Sequence, residues 1–143
     1  MGNTKLIKET DEPILRVNGS YEVPSQCWTR IHDMGTLAGG ATDCTFDCQN
    51  GSVQKVTVDG TINKLYVKNA LEGASYLLIV SGVNTPAFTA FDTAGNSATG
   101  LAAIKSEGGF ASFALTDAST DLVCIVGIGG NTALVSQAKD FKA

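Results

Sequence analysis

Cys44-Thr45-Phe46-Asp47-Cys48-Gln49-Asn50-Gly51-Ser52-Val53-Gln54-Lys55-Val56-Thr57-Val58-Asp59-Gly60-Thr61-Ile62-Asn63-Lys64-Leu65-Tyr66-Val67 is the stretch on which the fold turns. Its apolar residues recur at every second position. A strand would therefore set Cys44, Phe46 and Cys48 on one face and Thr45 and Asp47 on the other. Asn50-Gly51 and Asp59-Gly60 tolerate positive φ and predict turns. The segments Val53 to Val58 and Ile62 to Val67 between and beyond them read as strands, the latter β-branched and Tyr-bearing. Two hairpins in succession are expected.

Working toward the C-terminus, Ser75 to Ser81 is continuously apolar at its centre, the pattern of a central strand covered on both faces. Ala87 to Phe91, Phe110 to Leu115 and Leu122 to Ile128 follow as strands, the last again apolar at both parities. Turn signals at this spacing predict an all-β class, an antiparallel β-sandwich or jelly-roll-like barrel. Sixteen glycines suit many tight turns, and no fixed-period repeat emerges. Toward the N-terminus, residues 1–24 are polar and charged, and Pro13 and Pro24 oppose a regular helix, so an extended arm is expected there. That leaves residues 25–130 as the β domain and 131–143 as a C-terminal tail. The one helical signal lies in the tail, where Leu134, Val135, Ala138 and Phe141 fall at spacings compatible with one helix face.

A chain of 143 residues with 43% apolar content can bury one domain core without metal or disulfide staples. The net charge is -4, and the ten basic residues are scattered, which disfavours nucleic-acid binding driven by phosphate neutralisation. The polar start at Met1 lacks an apolar export segment, and no apolar run is long enough to cross a bilayer as a helix. Cys27, Cys44, Cys48 and Cys124 are accordingly expected to be thiols.

Cys27, His32, Cys44 and Cys48 have the composition of a structural zinc set. Against it, Cys44 and Cys48 at opposite ends of a strand would stand ~13 Å apart, so core thiols and no metal are expected. His32 is the only histidine, and on an extended segment Asp33 would point away from it, so no triad forms. Asp43, Asp47, Asp59, Asp92, Asp117 and Asp121 mostly flank turns, where aspartate hydrogen-bonds its own backbone. The loop Asp92 to Ser97 lacks the acidic density of a calcium site. No catalytic residue and no cofactor are expected.

Met34-Gly35-Thr36-Leu37-Ala38-Gly39-Gly40, the strand Cys44 to Cys48, Asn50 to Gly60, and Ala70-Leu71-Glu72-Gly73-Ala74-Ser75-Tyr76-Leu77-Leu78-Ile79-Val80 together resemble a β-sandwich structural module of tailed-bacteriophage virion proteins. The resemblance runs from Asp33 to Gly129 and consists of turn-and-strand rhythm. Cys44, Phe46 and Cys48 replace the module's aliphatic residues, and Thr85-Pro86-Ala87-Phe88 replaces its Trp-Pro element. The resemblance implies a non-enzymatic virion component, assembled in the host cytoplasm, that forms homo-oligomers (trimers) and contacts the major capsid protein or other virion proteins. A capsid decoration (cement) protein is the leading expectation. A tail or head fibre appendage that binds a host-surface receptor is the alternative. Ile14, Leu15, Val17, Tyr21 and Trp28 are the interface residues expected from the sequence, anchors on the arm and just beyond it.

Overall fold

The computed structural model describes residues 30–40, 43–90, 102–110 and 112–143 in full, and the backbone alone of Leu15–Val17, Ser20–Glu22 and Phe91. The fold is all-β. Among the described residues ten strands run in order: β1 (Leu15–Val17), β2 (Ser20–Glu22), β3 (His32–Ala38), β4 (Cys44–Asp47), β5 (Val53–Lys68), β6 (Ser75–Phe91), β7 (Ala103–Ser106), β8 (Phe113–Ala114), β9 (Ser119–Gly129) and β10 (Thr132–Phe141). β1 and β2 form a small antiparallel hairpin of their own. The other eight join in one mixed sheet.

Pairing within that sheet departs from the antiparallel expectation. β3, β4 and β6 all pair with β5 in parallel, and β7 pairs in parallel with β10. Only β6–β8, β6–β9 and β9–β10 are antiparallel. The reason lies in the length of β5. Sixteen residues held straight would extend ~53 Å, whereas the connector Asn69 to Ala74 spans at most ~21 Å. Yet Val53, at the start of β5, pairs with Leu77, near the start of β6. The strand must therefore fold back on itself, and it does so at Asp59–Thr61, where the register with β6 slips and Gly60 adopts φ +89°. Asp59-Gly60 is thus a corner that carries the chain to the other side of the core. A hairpin turn would have paired Val53–Val58 with Ile62–Val67, and no such pairing exists.

Three turns of a parallel β coil result. β3 and β4 make the first turn, the two halves of β5 the second, and the two halves of β6 the third. His32 stacks on Gln54 and Gln54 on Leu78, spacings of 22 and 24 residues; Cys44 stacks on Leu65 and Leu65 on Phe91, spacings of 21 and 26. A repeat exists after all, with a period that drifts. The corners stack as well: the N–H groups of Gly39 and Gly40 donate to the carbonyls of Asp59 and Thr61, and Asn84 Nδ2 donates to Asp59 Oδ1 at 2.6 Å.

After the third turn the chain reverses. β8 runs antiparallel to the second half of β6 and β9 to the first half. Their connector follows the β6 corner backwards, Leu115 N–H donating to Pro86 O at 3.1 Å and Ala118 N–H to Gly82 O at 2.9 Å. β10 then adds to β9, and β7 to β10. The C-terminal segment Thr132–Phe141 is consequently a sheet strand where a helix or loose tail was expected, because ladder bonds to β9 satisfy its backbone donors and acceptors. The β domain runs on through Phe141.

A single core is lined from both sides of the coil. Val56, Val58, Leu78, Val80, Val123, Ile125 and Val135 come from one side; Cys44, Phe46, Ile62, Leu65, Val67, Phe88 and Phe113 come from the other. Each such side chain contributes about 1.5–3 kcal/mol on leaving water. Phe46 meets Tyr76 edge-on, ring centroids 6.0 Å apart, and the Tyr76 hydroxyl accepts from Leu71 N–H at 3.1 Å. That phenol ties the Leu71–Ala74 corner to the core.

Candidate assembly face

The strands β6, β9 and β10 turn one parity of residues into the core and the other outward. Their registers set the outward residues in three rows: Ser75–Val126–Leu134, Leu77–Cys124–Ser136 and Ile79–Leu122–Ala138. Leu77, Ile79, Leu122, Val126 and Ser136 are half-buried among one another, while Cys124 and Leu134 are exposed. None of the nine is charged. The nearest charges stand at the rim, where Lys55 pairs beside Ile79 and Lys105 beside Leu134. Ile128 and Val83, both exposed, extend the apolar surface at either end. A groove of about 330 Å³ opens along Cys124, Leu134 and Ser136, with Lys105 and Glu107 on its far bank.

These are not the residues the sequence pointed to. Ile14 and Trp28 lie outside the described residues, and Leu15, Val17 and Tyr21 are described only by the backbone of the β1–β2 hairpin. The signal for the face was nonetheless present in Ser75 to Ser81 and Leu122 to Ile128, apolar at both parities. Burial on both faces was the expected explanation. Among the described residues, one of those faces has no cover.

The titratable groups are occupied with structure. Cys44 is wholly buried on β4, and burial pushes its thiol up to about 12. Cys48 was expected to continue that strand inward. It begins a short 3₁₀ turn, Cys48–Asn50, instead, because the Asp47 carboxylate accepts from Gln49 N–H at 3.0 Å and caps the turn. Burial is again the main cause that raises the Cys48 thiol, to about 11. Neither is poised as a thiolate nucleophile or ligand at neutral pH. Among the described residues no three His, Cys, Asp or Glu side chains gather where one metal ion could reach them. Cys27, the remaining thiol of the zinc set, lies outside the described residues.

His32 opens β3 and is half-buried. Asp33 accepts from Gly35 N–H at 2.9 Å and pairs with Lys55 Nζ at 3.0 Å, and these two contacts, the backbone one first, hold its carboxyl below the usual value. Asp59 and Asp117 hold corner and turn groups as their sequence context suggested. Asp121 does not. It sits within β9, 1% exposed, and accepts from Thr116 N–H at 2.6 Å and Asp140 N–H at 2.7 Å, pinning the β8–β9 corner to the end of β10. Asp92 and its loop lie outside the described residues.

No protein-family model, curated protein or solved structure matches the chain. What the geometry offers is a coil with Asp33, Asp47, Asp59, Asp121 and Cys44 engaged or buried within it and one uncharged face that no described residue covers. No helix among the described residues is long and apolar enough to cross a membrane.

Proposed function

We propose that the chain is a non-enzymatic structural component of a tailed-phage virion, a capsid decoration protein that stabilises the head through contacts between subunits. The observation that supports an assembly role is the uncharged β6–β9–β10 face. Contiguous apolar surface of that extent marks a site of protein contact on soluble domains. The phage and the head come from the resemblance of Asp33 to Gly129, in turn-and-strand rhythm, to a β-sandwich module of tailed-phage virion proteins. Asp33, Asp47, Asp59 and Asp121 are each engaged with backbone groups or neighbouring side chains.

Purified protein added to heads of a phage that encodes it should bind at a fixed number of copies per capsid subunit and raise the temperature at which the heads release DNA. Binding to host cells in competition with whole phage, and not to heads, would favour the receptor-binding appendage. Binding to neither would refute both.

A further inference from the structure

We infer that the β6–β9–β10 face is a two-fold interface with a second copy of this chain. The inference deepens the assembly reading by naming the surface and the partner. It rests on the way the three rows complement themselves.

In each row one flank is bulky and the other small: Leu134 against Ser75, Leu77 against Ser136, Ile79 against Ala138. Consider two copies face to face, related by a two-fold axis that runs along β9 between the sheets. β9 then lies over β9 of the second copy and β6 over its β10. Leu77 meets Ser136, Ile79 meets Ala138 and Leu134 meets Ser75, so each of these three bulky side chains finds a recess. Val126, Cys124 and Leu122 meet their own counterparts on the axis. Facing sheets alternate large and small side chains in this way when they interdigitate at ~10 Å. Aligned twisted sheets rotate by ~30°, which displaces Leu77 and Ser136 in the central row by ~2.4 Å and the pairs of the outer rows by ~4 Å, against ~6.6 Å between rows and ~4.8 Å between strands. The central pair keeps its match through the twist.

Charge and area agree with this occupant. The nine positions hold no charged residue, so superposing the face on itself sets no like charges together. A membrane or nucleic-acid partner would call for basic residues there, and a differently charged protein for a complementary sign. β6, β9 and β10 over the length of β9 from Thr120 to Ile128, with the half of that length that β5 and β7 each flank, give a footprint of ~500 Å² with Lys55 and Lys105 at its edges, and the accessible area of a side-chain-studded surface exceeds its footprint. Standard stable interfaces bury ~800 Å² per partner. A three-fold ring would need two different patches on each subunit. This face is one patch that fits itself.

The test is sedimentation of the full chain at micromolar concentration, under reducing conditions, beside its Leu122→Glu and Thr45→Glu variants. Leu122 lies on the axis; Thr45 is exposed on β4, across the core from this face. Wild type and Thr45→Glu should sediment as dimers, and Leu122→Glu should weaken the dimer at least about 100-fold, since each copy would bring a carboxylate into an apolar contact. In parallel, a bis-maleimide with a two-carbon spacer should join wild-type chains through Cys124. The Cys124→Ser variant should lose that cross-link yet remain dimeric. The cross-link keeps the inference testable if Leu122→Glu does not fold. A monomeric or trimeric wild type, a Leu122→Glu variant that dimerises normally, or a cross-link that persists in Cys124→Ser would each overturn the inference. A monomer that still coats phage heads would overturn it and spare the virion reading; a dimer that binds no particle would do the reverse.

Discussion

Substituting Gly127 by alanine tests the coil where two of its parts touch backbone to backbone. A Cβ added at Gly127 would lie 2.1 Å from the carbonyl oxygen of Leu71 and 2.8 Å from its carbon. Ordinary contact requires ~3.5 Å, so the strand and the corner must separate by more than ~1 Å, and no side chain can rotate away to relieve the clash. Such a separation breaks both bonds that dock the corner on β9, Gly73 N–H to Gly127 O at 2.9 Å and Gly127 N–H to Ala74 O at 3.0 Å. Two backbone bonds at ~1 kcal/mol each and an overpacking cost of ~1–3 kcal/mol sum to ~3–5 kcal/mol. Typical domain stability is ~5–15 kcal/mol, so the loss is large. At a urea dependence of ~2 kcal/mol/M, the unfolding midpoint followed by circular dichroism should fall by about 1.5–2.5 M. Gly130→Ala is the matched control. Gly130 has φ +58° but nothing within 4 Å of the added methyl, so only the left-handed backbone penalty of ~1 kcal/mol applies. Equal midpoints for the two variants would refute the docking of the Leu71–Ala74 corner on β9.

Further outcomes follow from the buried groups. In folded protein diluted until it is monomeric, a maleimide should label Cys124 first, Cys48 slowly and Cys44 only after unfolding, read by peptide mapping; early modification of Cys44 would contradict its place in the core. Gln54, fully buried, donates through Nε2 to Asp47 O at 2.6 Å and Gly51 O at 3.1 Å, while its Oε1 has no hydrogen-bond partner. Gln54→Leu removes two donors and relieves one orphaned acceptor, so its net cost by urea denaturation should be modest, about 1–3 kcal/mol. Asp33 and Asp140 both have carboxyls held below 3.8, Asp140 chiefly by Lys142. Their folded values lie below the unfolded ones, so what they add to stability is present above pH 3.8 and fades as pH falls through the folded values. Carboxyl titration by NMR should show both midpoints under 3.8, and midpoints above it would contradict the pairings.

Much of the fold was legible in the residues, and its topology was not. Alternation identified the strands Cys44–Asp47, Val53–Val58 and Ile62–Val67 and the inward Cys44 and Phe46, because side-chain period is a local property. Direction is not local. Asp59-Gly60 supplies the positive φ that a hairpin needs and a coil corner needs equally, and only the distant partners β3 and β6 decide between them. The repeat stayed hidden because its spacing drifts from 21 to 26 residues, and because its rungs share shape, a Gly-bearing corner and alternate apolar positions, without sharing residue identities. Leu134, Val135, Ala138 and Phe141 misled for a related reason: a short apolar segment satisfies helical and extended spacings at once, and pairing with β9 settled it as strand. The face was half-legible. Leu77, Ile79, Leu122 and Val126 announced apolar residues at both parities, but a sequence cannot say whether the second face is covered by the same chain or by another.

Electron cryo-microscopy of intact particles from a phage that encodes the chain tests the central claim most directly. Density for the three-turn coil, repeated with the symmetry of the head and touching its neighbours through Leu122, Cys124 and Val126, is the expected result. Purified, infectious particles that lack the chain altogether would contradict it.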